Sequence, residues 1–315
     1  MKPRHVRRAI IPAGALGTRF LPATKALPTE MLPLVDRPLV QYAVDEALAA
    51  GIEKIVVVTG RGKAAIEDHF DCARELEDTL RRHGKRGALQ AVEDSCARPG
   101  VIAYMRQQQP LGLAHALWCA RHVIGDEPFA VLAPDDVILA KVPCLVQMVA
   151  AYREIGDNLV AVTPLARSGT ARNGAIAATA RNGRLLTASG IAAQPASAGL
   201  ASKWAVAGRY ILDSAILRRL GERPPNPDGD VPFIDALARL AGDGALRGYA
   251  FAGRHFDCSD VPGLLEANIA FALDRTDLAP TVRHVLSRYA RLVGHTVDHT
   301  GRPRPVETPE MAVPA

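Results

Sequence analysis

Short apolar runs alternate with longer amphipathic segments through the first 133 residues of this 315-residue chain. Residues 8–12, 54–59 and 130–133 have the length and composition of strands, whereas residues 40–50 and 63–70 have the spacing of amphipathic helices. Strands separated by helices in this order predict a parallel sheet with right-handed crossovers. We therefore expect an α/β fold that is Rossmann-like, with a mixed, mostly parallel sheet and helices on both faces.

The first predicted strand continues into the loop Ala13-Gly14-Ala15-Leu-Gly17-Thr18-Arg19. Ligands of such sheets bind beyond the carboxyl ends of the strands. Backbone N–H groups of a glycine-bearing loop can approach phosphate closely, and Arg19 can neutralise its charge. The loop lacks the Gly-x-Gly-x-x-Gly pattern of dinucleotide-dependent oxidoreductases, so that class is excluded. The loop predicts binding of a phosphorylated ligand.

This loop, followed by Pro28-Thr-Glu-Met-Leu-Pro-Leu34, resembles the signature of the sugar-1-phosphate nucleotidylyltransferases, and most closely that of the bacterial UTP:glucose-1-phosphate uridylyltransferases. The resemblance covers about residues 8–273. It implies a nucleotide-diphospho-sugar transferase-like fold and a nucleotide lying against Ala13, Gly14, Ala15, Gly17 and Thr18. Two positions depart from the signature: Ala15 replaces the first loop glycine, and Thr29 replaces a lysine that grips phosphate.

Two acidic segments are candidates for a metal site. Asp135 and Asp136 follow an apolar strand, a pattern that suits either a magnesium ion on nucleotide phosphates or a turn or helix cap. The resemblance assigns the ligand role to Asp135 and adds Asp257, in a turn where Ser259 replaces a glycine. It implies that both carboxylates hold Mg²⁺ and that, with Arg19, they form the catalytic set. Asp260 is also expected to cap a helix over residues 261–273.

A third motif points to base recognition. Arg106-Gln107 and Leu111-Gly112-Leu-Ala114-His115 resemble segments that bind uracil in this family. A glutamine amide offers a donor and an acceptor, as an imide-bearing base requires. The resemblance implies that Gln107 selects uridine and that Gly112 and Ala114 lie beside the base. The alternative is an exposed polar run in which His115 begins a helix.

The sugar side is expected on an antiparallel β-flap over about residues 165–210. Residues 168–201 are rich in Ala, Gly, Ser and Asn, and Asn173-Gly174 and Asn182-Gly183 are hairpin signals. The resemblance places Gly174, Gln194, Lys203 and Gly208 at the sugar phosphate. Gln194 replaces a family lysine, and Lys25 and Lys203 are candidates to replace the missing charge.

The resemblance implies transfer of a uridylyl group from UTP to glucose-1-phosphate, which gives UDP-glucose and pyrophosphate. Losing one preorganised charge-stabilising donor costs roughly 2.7 to 4 kcal/mol in such chemistry. Because two lysines are replaced, at Thr29 and Gln194, a second function stays open. It is a catalytically impaired paralogue that binds a uridine nucleotide or UDP-sugar, or pairs with an active sister subunit, in a regulatory role.

Bulk composition limits the partners. The net charge is +5, but aromatic residues make up only 5% of the chain and none interleave with basic residues in a stacking motif, so we expect no nucleic acid partner. The first apolar run is too short for a signal segment or membrane span, which predicts a cytoplasmic protein. Five cysteines without paired short spacings predict reduced thiols. Members of the similar family are usually homo-oligomers.

We expect a nucleotidylyltransferase domain at residues 1–275, a helical extension at 276–299 with a helix over 281–292, and a disordered, proline-containing tail at 300–315. The charged residues 71–98 predict an exposed helical excursion, which is either a lid or a solvated helix surface.

Overall fold

The computed structural model describes residues 5–165, 172–193, 203–221 and 233–294. Gln194 and the predicted tail at 300–315 lie outside these residues. The strands are β1 (Arg8–Ala13), β2 (Pro33–Leu34), β3 (Arg37–Pro38), β4 (Lys54–Thr59), β5 (Ile102–Arg106), β6 (Phe129–Leu132), β7 (Asp136–Leu139), β8 (Asn158–Pro164), β9 (Ala175–Asn182), β10 (Leu185–Ala192), β11 (Trp204–Leu212), β12 (Leu246–Ala250) and β13 (Arg254–Asp257).

Helices connect most of these strands. They are α1 (Leu39–Ala49), α2 (Ala64–Phe70), α3 (Arg74–Arg82), α4 (Arg86–Ser95), α5 (Gly112–Cys119), α6 (Arg121–Ile124), α7 (Cys144–Ile155), α8 (Ala215–Gly221), α9 (Phe233–Gly242), α10 (Val261–Asp274) and α11 (Ala279–Gly294). The five strand and helix predictions in the first 133 residues are confirmed, with ends that differ by a residue or so.

In the described part of the chain, nine strands form one sheet in the order β5-β4-β1-β6-β11-β8-β12-β10-β9. Strands β5, β4, β1 and β6 are mutually parallel, and β8 pairs parallel with β12. Strand β11 runs antiparallel to both β6 and β8, and β10 runs antiparallel to both β12 and β9. Seven of the nine strands therefore point the same way, as the prediction of a mixed, mostly parallel sheet requires.

Two hydrophobic layers cover the faces of this sheet. Along β1, Ile10 packs into a cluster with α5, α8 and α9, whereas Ala9 and Ile11 pack into another with α1, α2 and α7. Successive side chains of a strand point to opposite faces, so a strand buried on both faces must be apolar throughout. A third, smaller cluster lies between α10 and the short strands β2, β7 and β13. The prediction of helices on both faces is confirmed.

The predicted flap differs from expectation in how it is attached. Strands β9 and β10 form a hairpin that turns at Asn182-Gly183, with Gly183 at a φ of +58°. However, β10 also pairs with β12, and β9 with β11, so the hairpin extends the main sheet. Asn173-Gly174 precedes β9 and does not join two strands that pair among the described residues. One of the two hairpin signals therefore predicted the local structure correctly.

The charged excursion consists of α3 and α4, neither of which buries a residue. The helix predicted over 281–292 is α11. Asp260 caps α10, since its Oδ1 accepts a hydrogen bond from the Gly263 N–H at 2.9 Å. The division into a domain at 1–275 and an extension stays a prediction.

All five cysteines are free thiols. Within the described ranges, none of the helices combines the length and apolar composition needed to cross a bilayer.

A buried ion pair joins the sheet to the helix layer below the carboxyl end of β6. Nε and Nη2 of Arg209, on β11, donate to Oε2 of Glu46 at 3.1 and 3.0 Å. Nη1 of Arg209 donates to the carbonyl of Ala133 at 2.7 Å, and Oε1 of Glu46 accepts from the Leu145 N–H at 2.8 Å. The pair therefore links α1, α7 and β11 to the loop that follows β6.

Replacing Glu46 with glutamine should reduce the free energy of unfolding by about 3 to 5 kcal/mol, because the Arg209 charge would stay buried without a counter-charge. The matched control is Arg37→Gln, which breaks an exposed ion pair with Asp45 and should change stability by less than about 1 kcal/mol. Urea titrations monitored by circular dichroism measure both. Equal shifts of the two midpoints would show that the buried pair does not hold this part of the fold.

Candidate active site

The carboxyl ends of β5, β4, β1 and β6 meet at one edge of the sheet, where a cavity of about 580 Å³ opens. Parallel neighbours bring the segments that follow them side by side, and the segments after β1, β5 and β6 line this cavity. The cavity is lined by Pro12, Gly14, Ala15, Leu16, Gly17, Thr18, Arg19, Thr29, Glu30, Gln107, Pro110, Gly112, Leu113, Ala116, Ala133, Pro134, Asp135, Arg172, Asn173 and Ser259.

The loop after β1 packs closely against Thr29 at Gly17. Gly17 has a φ of +67°, a conformation that favours glycine, and a Cβ placed there would lie 2.1 Å from Thr29 Oγ1. Thr24 Oγ1 donates to the Gly17 carbonyl at 2.6 Å and fixes the loop from the other side. Thr29 Oγ1 is itself buried without a hydrogen-bond partner. The hydroxyl therefore stands, unpaired, at the cavity position where the family signature has a lysine.

Beside Thr29, Glu30 lines the cavity and forms a buried ion pair with Lys63, which lies behind the lining. Lys63 Nζ lies 2.6 Å from Glu30 Oε2, and both side chains are less than a tenth exposed. Burial raises the pKa of the Glu30 carboxyl, and the Lys63 ammonium opposes that rise. Because Lys63 is paired with Glu30, its charge is already partly neutralised before any ligand binds.

Gln107 follows β5 and is 5% exposed. Its Nε2 donates to the Gly112 carbonyl at 3.2 Å and to His115 Nδ1 at 2.9 Å. The second bond requires an unprotonated Nδ1, and burial lowers the pKa of His115, which favours the neutral ring. The amide is thereby oriented with Oε1 directed toward Gly14, where a Cβ would be only 2.6 Å away. Oε1 is the acceptor that Gln107 presents beside the loop.

Asp135 and Asp257 come from different elements and converge on one guanidinium. Nη2 of Arg172 lies 2.5 Å from Asp135 Oδ2, and Nη1 lies 3.0 Å from Asp257 Oδ1. Burial raises the pKa of Asp135, Asp136 adds to the rise, and Arg172 opposes it. Burial would also raise the pKa of Asp257, but hydrogen bonds from Ser259 and the charge of Arg172 outweigh it and the pKa falls.

The Asp136 carboxylate is buried and hydrogen-bonded within the protein. It is fully buried; its Oδ1 lies 2.6 Å from His255 Nε2, and its Oδ2 accepts from Asn173 Nδ2 at 2.7 Å. Gly208, at a φ of +61°, passes so close that a Cβ would lie 2.1 Å from Asp136 Oδ2. The carboxylate of Asp136 therefore joins β13 to the Asn173 turn behind the cavity and packs closely against Gly208 of β11.

Ser259 connects the β1 loop to the carboxylates. Its Oγ accepts a hydrogen bond from Arg19 Nη1 at 2.9 Å, and its N–H donates to Asp257 Oδ1 at 3.0 Å. A glycine at this position, as in the family signature, would keep the second bond but not the first. Ser259 thus holds the Arg19 guanidinium at the carboxylate side of the cavity.

The donor set at this position fits a hard divalent cation. Asp135 and Asp257 supply carboxylate oxygens that already converge on one positive group, and Mg²⁺ is usually bound by one or two carboxylates with substrate phosphates and water as the other ligands. The described residues contain no group of three or more His, Cys, Asp or Glu side chains that could hold a metal ion, so water or phosphate oxygens would complete the coordination.

A family model described as nucleotidyl transferase matches residues 8–272. The chain belongs to the nucleotidyl transferase family. A UTP–glucose-1-phosphate uridylyltransferase of Komagataeibacter xylinus is 41% identical over 255 residues, which are 81% of this chain and 90% of that protein. The protein of the same name from Bacillus subtilis strain 168 is 39% identical over 289 residues, 90% of this chain and 99% of the relative.

A solved structure of UDP-glucose pyrophosphorylase complexed with UDP-glucose has the same fold as this nucleotidyl transferase. The TM-score is 0.75, with 34% sequence identity over 86% of this chain and 100% of that chain. The expectation of a nucleotide-diphospho-sugar transferase-like fold, and the resemblance on which it rested, are confirmed.

The sequence predicted a set of site residues, and most of them are found in the lining of the cavity. Those in the lining are Gly14, Ala15, Gly17, Thr18, Arg19, Gln107, Gly112 and Asp135. Ala13 and Ala114 are fully buried in the hydrophobic layers on the two faces of the sheet. Asp257 lies behind the lining, where it is hydrogen-bonded to two lining residues, Ser259 and Arg172. The described sugar-side candidates, Gly174, Lys203 and Gly208, do not line it.

Sequence reasoning missed two residues that shape the cavity. Arg172 is not among the residues predicted from the sequence. It directly precedes the Asn173-Gly174 turn signal, and a basic residue beside a turn expected at the substrate indicates a phosphate contact. Lys63 was assigned only to a helix, although it lies just before α2, in the segment that follows β4. Its pairing with Glu30 joins residues 33 positions apart, so local sequence contained no signal for it.

Gly17→Ala should destabilise the protein more than Gly51→Ala, because both positions have a positive φ but only Gly17 is crowded. The left-handed conformation costs each variant about 1 to 2 kcal/mol. Overpacking against Thr29 should add about 1 to 3 kcal/mol at Gly17. Adding Thr29→Ala should recover part of the extra loss. Urea denaturation measures all three variants, and equal midpoints for the two single glycine variants would contradict the close packing of Thr29 on the loop.

Proposed function

We propose that this nucleotidyl transferase transfers a uridylyl group from UTP to glucose-1-phosphate and releases pyrophosphate and UDP-glucose. The proposal rests on one observation: the β1 loop, the oriented Gln107 amide and Asp135 line the same cavity, and Asp135 is joined there to Asp257 by the Arg172 guanidinium. The two named uridylyltransferase relatives, which match this chain over most of their length, support the substrate pair.

Each part of the cavity has a role in this reaction. The backbone of residues 14–18 would face the triphosphate, and Arg19, oriented by Ser259, would neutralise charge on the departing pyrophosphate. Asp135 and Asp257 would hold Mg²⁺, which when bound neutralises phosphate oxygens. The sugar phosphate attacks the α-phosphorus in line, so the protein supplies position and charge compensation rather than a covalent intermediate.

Gln107 would select the base by its fixed orientation. Because Nε2 donates to Gly112 and His115, the amide group that faces the Gly14 loop is the Oε1 acceptor. The imide N–H of uracil is a donor at the edge where cytosine has an acceptor, so this orientation favours uracil. Assembly as a homo-oligomer and a cytoplasmic location stay predictions.

A panel of nucleoside triphosphates and sugar phosphates, assayed for pyrophosphate in Mg²⁺ buffer, tests the function. We expect release with UTP plus glucose-1-phosphate, and a decrease of about a hundredfold or more for Asp135→Asn, which removes one carboxylate charge. Calorimetry with UTP and UDP-glucose runs in parallel. Binding without pyrophosphate release from any pair would favour the impaired, regulatory paralogue. Absence of both binding and turnover would reject both functions.

Restoring the missing lysine should accelerate the reaction. Thr29 Oγ1 is unpaired at the cavity wall, so a lysine that extends from this position into the cavity breaks no hydrogen bond of the chain. We expect Thr29→Lys to raise kcat by about a hundred- to a thousandfold. Leu76→Lys is the matched control, since Leu76 is 48% exposed on α3 and does not line the cavity.

The control should change kcat little, because its charge stays in water. Steady-state rates with UTP and glucose-1-phosphate compare the variants. An unchanged kcat in Thr29→Lys would mean that other groups already compensate for the lost lysine.

A further inference from the structure

Arg172 is held by two acidic residues that the proposed function requires for another cation. Its guanidinium bridges Asp135, in the segment after β6, and Asp257, at the end of β13. The side chain is about a third exposed, with a relative accessibility of 35%, and it lines the cavity. An arginine fork that contacts two carboxylates at once is a strong, directional arrangement.

This arrangement conflicts with metal binding. Mg²⁺ binds carboxylate oxygens at about 2.0 to 2.1 Å and repels a neighbouring guanidinium. Asp135 Oδ2 and Asp257 Oδ1 already receive hydrogen bonds from Arg172 at 2.5 and 3.0 Å. These two oxygens cannot bind both cations at once, so a metal ion that takes them displaces the guanidinium.

The backbone beside Arg172 is fixed, so only its side chain has to move. Asn173 Nδ2 donates to the buried Asp136 at 2.7 Å, and the Gly174 carbonyl accepts from the Val206 N–H at 2.9 Å. Among the described residues that line the cavity, the cationic side chains are those of Arg19 and Arg172. Arg19 is bound to Ser259, so Arg172 is the lining cation that a metal ion on Asp135 and Asp257 would release.

We propose that Arg172 is an internal counter-cation that exchanges partners. In the ligand-free protein it holds Asp135 and Asp257; when a divalent cation takes these carboxylates, the guanidinium turns to the phosphate group of the incoming sugar phosphate. This inference rests on the proposed function, and it names the residue that compensates for the family lysine replaced by Gln194. A guanidinium fork matches phosphate as well as carboxylate, so one side chain can serve both states.

Titration with Mn²⁺ in the absence of nucleotide, monitored by electron paramagnetic resonance, tests whether Arg172 competes with a metal ion for the two carboxylates. Arg172→Gln should bind Mn²⁺ about three- to tenfold more tightly than the wild type, because two charge-assisted hydrogen bonds no longer compete. Arg172→Lys should fall between them, since an ammonium lacks the fork. Arg247→Gln, which breaks a pair with Asp157 remote from the cavity, should bind Mn²⁺ like the wild type.

Calorimetry with glucose-1-phosphate tests whether the released guanidinium binds the sugar phosphate. Saturating Mn²⁺ should tighten glucose-1-phosphate binding about tenfold in the wild type, and this gain should disappear in Arg172→Gln, which loses one charge-assisted partner for phosphate. Thermal melts of all variants confirm that they are folded. Equal, weaker or undetectable Mn²⁺ binding in Arg172→Gln overturns the exchange, as does an undiminished gain for glucose-1-phosphate.

The pyrophosphate assay separates the two proposals. If the wild type makes pyrophosphate from UTP and glucose-1-phosphate while Arg172→Gln shows neither effect, the exchange is wrong and the proposed function stands. If the wild type makes none but Mn²⁺ binding tightens in the variant, the carboxylate competition stands and the function is wrong.

Discussion

The parallel pairing of β5, β4, β1 and β6 is the constraint on which the site depends. Each strand ends at the same edge of the sheet, so the β1 loop, Gln107 and Asp135 meet at the cavity although they are distant in sequence, and Lys63 pairs with Glu30 of the lining. The buried Arg209–Glu46 pair secures this edge from below, because the same guanidinium binds the Ala133 carbonyl two residues before Asp135. Binding chemistry and core stability therefore share one set of contacts at the end of β6.

The second general feature of the site is that it contains its own counter-charges. Glu30 is paired with Lys63 and both candidate metal carboxylates with Arg172, while Asp136 is hydrogen-bonded to His255 and Asn173. Charges removed from water must be paired or they destabilise the fold. A ligand made of phosphates and a divalent cation then binds by exchanging partners, and the cost of opening an internal pair is offset by the new one.

The departures from the family signature have different structural consequences. Ser259 adds a contact, since its hydroxyl fixes Arg19 beside Asp257. Thr29 removes a charge and leaves a hydroxyl without a partner against Gly17. Ala114, which was expected to lie beside the base, packs into the core and does not line the cavity. Altered positions therefore have to be judged by where the fold places each side chain.

The sequence by itself determined the features that depend on neighbouring residues. The apolar runs of β1 and β4, the Asn182-Gly183 hairpin and the Asp260 cap were predicted correctly, because strand burial, turn geometry and capping are decided within a few positions. Much of the cavity lining was also predicted, because the segments after parallel strands must meet at one edge.

Only the tertiary structure decided which charges pair. Arg172 lies 37 residues from Asp135 and 85 from Asp257, and Arg19 lies 240 residues from Ser259. The way the β9–β10 hairpin joins the main sheet, and the core position of Ala114, were likewise set by contacts between distant elements. An ion pair depends on distances of a few ångströms between side chains, and those distances follow from the packing of the whole sheet rather than from any local pattern.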